Sequence, residues 1–132
     1  MIILDTSAVM ALAQSHKTLS LLAGNMALTP GDRLIVPALC LMQAESADEG
    51  ASRHVLRFSS VDIDDLNMGA AISVGKMIRD GYGGPDTCHA LYCALPRPDF
   101  SGKSILLTAE EDAYPPGTVT VDIDSPGMLG FY

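Results

Sequence analysis

The chain has 132 residues, enough for one domain and too few for a second. Apolar residues make up 48% and charged ones 18%, the balance of a folded core and not of a disordered chain. Sixteen acids against eight bases give a formal charge of −8, and no run of Lys or Arg supplies the basic footprint of a plain DNA- or RNA-binding module. An enzyme acting on nucleic acid through metal ions stays open, because each divalent cation reverses the local field.

The longest uncharged stretch, Thr18 to Gly31, contains Asn, Gly and Pro, so no membrane span is expected. Asp5 interrupts the first apolar run, which has neither a basic lead nor a cleavage site, and a secretory signal is not expected. Cys40, Cys88 and Cys93 form no C-x-x-C pair. They suit free thiols in a reducing cytoplasm and disfavour zinc and disulfide scaffolds.

Met1 to Leu4 reads as a buried strand ended by Asp5. Thr6 and Ser7 are natural N-caps for a helix through Val9, Leu12, Ala13, His16 and Leu19 or Leu22. Gly24-Asn25 and Pro30-Gly31 break the chain before a second strand, Leu34 to Val36. Pro37 suits the first position of a helix that runs past Glu45 and fades between Asp48 and Ser52. Phe58 to Ile63 is a third strand, and Asp64 is placed to cap a helix through Leu66, Ala70, Val74 and Met77. Gly83-Gly84-Pro85 opens a helix from Asp86 to Leu95, stopped by Pro96 and Pro98. Ile105 to Thr108 and Val119 to Ile123 are the last strands, and the Gly-rich end from Ser125 reads as a tail. Strands that alternate with helices and read as continuous apolar runs predict a parallel sheet with helices on both faces. Ligands in such sheets sit beyond the carboxyl ends of the strands.

Acids gather at those ends. Asp5 follows the first strand, as a helix N-cap or as a ligand. Ala38, Leu41, Met42 and Glu45 fall on one helical stripe, so Glu45 is expected to face the core, where a lone carboxylate is costly. Asp86 lies in a first helical turn, which the helix dipole alone would favour. His89, three residues on, reads as a hydrogen-bonded core histidine. Glu110, Glu111 and Asp112 follow the fourth strand. Crowded carboxylates should hold protons more tightly unless a cation sits among them. An oxygen-only donor set favours Mg²⁺ or Mn²⁺ over Zn²⁺, and two such ions support phosphodiester hydrolysis. The residues therefore point to metal-dependent phosphoryl chemistry.

Ile3-Leu4-Asp5-Thr6-Ser7, Val36-Pro37-Ala38 leading to Glu45, Asp86-Thr87-Cys88-His89-Ala90 and Leu107-Thr108-Ala109-Glu110 resemble the four motifs of PIN-domain proteins. Within that family the chain is most similar to the VapC-like toxins of toxin–antitoxin pairs. The resemblance implies a three-layer PIN-like α/β fold over residues 1–124, with a tail over 125–132. It implies a parallel five-stranded sheet in the order 3-2-1-4-5 with helices on both faces. The activity implied is a cytoplasmic ribonuclease that uses Mg²⁺ or Mn²⁺ on an RNA substrate. An antitoxin protein from a neighbouring gene would be its partner, a homodimer is allowed, and no membrane is involved. Asp5, Glu45 and Asp86 match the metal-binding acids, and Glu110 matches a fourth acid that is more often Asp in the family. Thr6, Ser7 and Thr108 would orient the carboxylates. His89 matches a position where the family often carries His. Arg33, Arg79 and Arg97 are the cations available to an RNA groove.

A non-catalytic PIN-like module that only binds a protein is the competing reading. A phosphatase of the HAD type needs a second Asp two residues after the first, where Ser7 stands. A response-regulator receiver needs a Lys late in its sheet, whereas Lys103 precedes its strand. Both are set aside.

Overall fold

Ile2–Leu4, Leu34–Pro37, Val61–Asp64, Ile105–Thr108 and Thr120–Asp122 form strands β1 to β5 in a computed structural model that describes residues 1–96 and 103–131. They pair in the order β3-β2-β1-β4-β5, and every pairing is parallel. Six helices accompany them among the described residues: α1 Thr6–Ala13, α2 Lys17–Ala27, α3 Ala38–Ala47, α4 Ala51–Val55, α5 Met68–Arg79 and α6 Pro85–Ala94. This is the expected fold class and strand order. None of these helices is long and apolar enough to cross a membrane.

β1 lies at the centre of the sheet, with Ile3 and Leu4 fully buried. Side chains alternate along a strand, so these neighbours serve different cores. Leu4 and Leu107 pack with Val9, Leu12, Leu19 and Leu22 from α1 and α2. Ile3 and Leu106 pack with Cys40 of α3 and with Ala90 and Cys93 of α6. Small side chains there let α3 and α6 approach one another closely. Each large aliphatic side chain so buried stabilises the fold by about 1.5–3 kcal/mol.

Several boundaries differ from the sequence reading. The first helix is capped by Asp5 rather than Thr6 or Ser7. It ends at Ala13, and a second helix begins at Lys17. Ser15 turns the chain with φ 64°, a left-handed conformation that a non-glycine residue seldom adopts. His16 then caps α2, its Nδ1 accepting from the Leu19 amide while Nε2 meets Asp124 at 2.7 Å. No Gly or Pro marks this break, so periodicity ran across it.

Pro37 closes β2 instead of opening α3, and α4 is an extra helix that starts after Gly50 at φ 87°. β3 runs over Val61–Asp64 rather than from Phe58, α5 is capped by Asn67 rather than Asp64, and β5 is trimmed to Thr120–Asp122. On α3 the buried side chains are Cys40 and Ala44, while Met42 is 54% exposed. The helix is apolar nearly all round, and its spacing could not single out one face.

The Gly-rich end after Ser125 forms a 3-10 helix, Pro126–Gly130, and inserts Met128 into the α1–α2 side of the core. Met128 is only 2% exposed. Met128→Ala is therefore expected to destabilise the fold by about 2–4 kcal/mol in urea unfolding, the cost of an unfilled cavity. A loose tail would give no measurable change.

Candidate metal-binding acidic site

β1 ends at Leu4, and Asp5 stands in extended backbone at the start of α1. Its Oδ1 accepts from the Ala8 amide at 3.0 Å and from Ser7 Oγ at 2.6 Å. Its Oδ2 accepts from Thr108 Oγ1 at 2.5 Å and from the Tyr114 hydroxyl at 2.7 Å. A carboxylate has about four lone-pair sites, so these donors fill it. Asp5 is both helix cap and core-facing charge, 4% exposed.

The hydroxyl donors are themselves held. Ser7 Oγ accepts from the Ala109 amide at 2.8 Å, and Thr108 Oγ1 accepts from the Glu110 amide at 2.9 Å. Each hydroxyl has a backbone N–H behind it, which aims its proton at the acid. Thr6 serves the other acid, donating to Asp86 Oδ2 at 2.6 Å. Asp86 is half-buried in the first turn of α6, after Pro85. Thr6, Ser7 and Thr108 thus each donate to a carboxylate.

Cys40 and Tyr114 border both acids. The Cys40 thiol donates to the Asp86 carbonyl at 3.3 Å. Burial pushes that thiol up to about 12, with the charges of Asp5 and Asp86 adding to the effect. It stays protonated and unreactive. Burial likewise pushes the Tyr114 phenol far above its usual range, helped by Asp5, Cys40 and Asp86. The phenol therefore remains a donor. Sequence reading missed both residues, because Tyr114 lies six positions beyond Thr108 and neither carries a charge.

Glu45 is engaged elsewhere. It does not sit on the buried stripe of α3, and its carboxylate caps α4, accepting from Gly50 N at 2.8 Å, Ser52 N at 3.0 Å and Ser52 Oγ. The Ser52 hydroxyl, then the Gly50 and Ser52 amides, hold its carboxyl below the usual carboxylate range. The expectation that crowding raises these acids thus fails at Glu45, where amide and hydroxyl donors outweigh like charge. Glu110 is exposed at the start of a 3-10 turn, Glu111–Ala113. Glu111 accepts from Thr120 Oγ1 at 2.7 Å, and Asp112 is exposed.

His89 is fully buried and accepts from the Leu39 amide at 3.3 Å through Nδ1. Burial lowers its pKa, against the opposing charge of Asp64, and keeps it neutral. Arg33 is tied to Asp62 at 2.5 Å just before β2, at the amino end of the sheet and so away from the acids. Arg79 is exposed at the end of α5, and Arg97 lies outside the described residues.

The structure therefore brings together two of the four predicted acids, Asp5 and Asp86. Among the described residues neither forms an ion pair with Lys, Arg or His. Two neighbouring oxygen-donor acids with no cationic partner among the described residues fit a hard divalent cation. Such an ion at Asp5 must displace one of its donors, and Tyr114 is the one outside the β1–α1 turn and the β4 end.

Two outcomes follow. Tyr114→Phe should lower stability in chelator by about 1–3 kcal/mol, the worth of a hydrogen bond to a charged group, without weakening Mn²⁺ binding in calorimetry. At Glu45 a lowered folded pKa means stability that is present above the unfolded value of 4.5 and lost as pH falls through the folded one. Ser52→Ala should move the Glu45 carboxyl resonance to titrate at higher pH and weaken this acid-side dependence.

No family model and no curated protein matches the sequence. In three dimensions the chain is similar to one in the crystal structure of DNA-bound VapBC from Salmonella typhimurium. The TM-score is 0.59 at 18% identity, over 92% of this chain and 97% of that one. The likeness shows that the two chains share a fold; the chemistry rests on this chain's own residues.

Proposed function

We propose that this chain is a metal-dependent ribonuclease of PIN type and the toxin half of a toxin–antitoxin pair. The observation that carries the reading is the proximity of Asp5 and Asp86, whose charges both act on Cys40 and Tyr114, two carboxylates without a cationic partner among the described residues. Asp5 and Asp86 would hold Mg²⁺ or Mn²⁺, with Glu45 and Glu110 as the further acids. Such an ion, when bound, activates a water and stabilises the leaving oxygen of a phosphodiester.

The chain's own groups prepare that site. Ser7 and Thr108 fix the rotamer of Asp5, and Thr6 fixes that of Asp86, so neither acid has to reorganise when substrate arrives. Glu45 can join only by leaving Gly50 and Ser52. Glu110, exposed beside the pocket, suits contact through water, which Mg²⁺ commonly retains. An acidic surface with few cations binds RNA weakly by itself. The same surface suits a basic, Arg-bearing antitoxin segment laid across the acids. The fold shared with a chain of VapBC supports a partner of this kind.

Cleavage of RNA should require Mn²⁺ or Mg²⁺. Asp5→Asn and Asp86→Asn should each lower the rate at least about 10²-fold, the scale at which loss of a positioned group is felt. Glu110→Gln should cost less, and Glu111→Gln and Asp112→Asn little. Wild-type cleavage by Asp86→Asn would remove the site assignment.

A second reading is favoured by one observation: Asp5 and Glu45 are both fully hydrogen-bonded without a cation. On that reading the chain is a catalytically weak or inactive PIN-like module that binds a protein. Mn²⁺ calorimetry separates the two, because the module gives no heat that depends on Asp5 and Asp86.

A further inference from the structure

Away from the paired acids, His89 and Cys93 project from α6 one turn apart, and both are buried. They meet Asp64, the half-buried last residue of the edge strand β3. One ligand atom from each of the three lies within 4.8 Å of the others, and the Cys93 thiol donates to Asp64 Oδ2 at 2.8 Å. His89 is fully buried, yet its Nε2 has no hydrogen-bond partner among the described residues. A buried ring nitrogen left unpaired is uncommon and calls for a physical reason.

We propose that Asp64, His89 and Cys93 form a transition-metal site of the zinc class that fastens the end of β3 to α6. The donor set decides the metal. Thiolate and imidazole are soft and borderline ligands, which select Zn²⁺ and its neighbours and not Mg²⁺. Three protein ligands of mixed S, N and O type leave a fourth tetrahedral position for water. Tetrahedral ligands at zinc distances stand about 3.5 Å apart, so Cys93 and Asp64, now 2.8 Å apart, must separate slightly while the three donors, all within 4.8 Å, close around the ion.

Binding is balanced in simple steps. The thiol proton that now bridges Cys93 and Asp64 leaves to solvent as the sulfur–metal bond forms. The imidazole stays neutral: its proton moves from Nε2 to Nδ1, so the Leu39 amide loses its acceptor at 3.3 Å and both N–H groups must turn to other acceptors, a cost that the metal–nitrogen bond has to offset. The cysteine spacing alone offered no zinc reading, because the third ligand comes from a strand 25 residues before His89.

This site is independent of the Asp5–Asp86 reading and chemically unlike it. Titration of the intact chain with Co²⁺ tests it, since a thiolate ligand gives cobalt an intense near-ultraviolet charge-transfer band. One equivalent should raise the band, Zn²⁺ should bleach it, and excess Mg²⁺ should leave it. Cys93→Ser should abolish it, whereas Asp5→Asn, Cys40→Ser and Cys88→Ser should retain it. Should Cys93→Ser fail to fold, the isosteric Asp64→Asn decides: it should weaken Co²⁺ binding at least about tenfold. No thiolate band in the wild type, or a band that follows Cys40 or Cys88 instead, overturns the proposal. An Asp64→Asn variant that binds Co²⁺ like wild type also overturns it.

Discussion

Asp5 carries its charge at 4% exposure, and four donors from three separate segments converge on it. Ser7 and Ala8 come from the first turn of α1, Thr108 from the end of β4, and Tyr114 from beyond the 3-10 turn. An isolated carboxylate at that depth would cost several kcal/mol, and these donors together offset that cost. The consequence is geometric. The central strand, its following helix and the neighbouring strand must meet at one point for the charge to be tolerated. Thr108, fully buried at the end of an otherwise aliphatic strand, serves with its hydroxyl both Asp5 and the Glu110 amide.

The same constraint explains why so much of the fold was legible in the sequence. Apolar runs ended by Asp5 and by Thr108 gave β1 and β4 to the residue or nearly so, and Gly84-Pro85 gave the start of α6. In each case a residue that must change the backbone's direction stands where the apolar run stops. The missed break between α1 and α2 falls where no such residue stands. Ser15 takes a left-handed turn that its sequence neighbours do not announce, and a single long helix was the natural reading.

Glu45 shows the limit for the site. On α3 its position in the sequence argued for burial, but Cys40 and Ala44 are the residues that pack inward. The face of an apolar helix is chosen by its neighbours' shapes, which one chain's spacing does not encode. Its carboxylate found amides at the start of α4, an element the sequence did not reveal. Tyr114 was hidden for the opposite reason: an uncharged residue in a Pro-rich loop carries no pattern, and only its contact with Asp5 gives it meaning.

α6 links these threads. Its first turn presents Asp86 to Thr6 and the acid pocket, and its next turns carry His89 and Cys93 toward Asp64. One rigid helix therefore offers hard oxygen at its amino end and softer nitrogen and sulfur further along. The two donor sets differ in the ions they prefer, oxygen alone suiting Mg²⁺ or Mn²⁺ and the set with nitrogen and sulfur suiting Zn²⁺. Leu39 and Cys40 on α3 touch both regions, the amide at His89 and the thiol at the Asp86 carbonyl. A shift of α3 against α6 would disturb both at once. The α3–α6 contact, lined by side chains too small to yield, is thus where the acid pocket depends on the rest of the molecule.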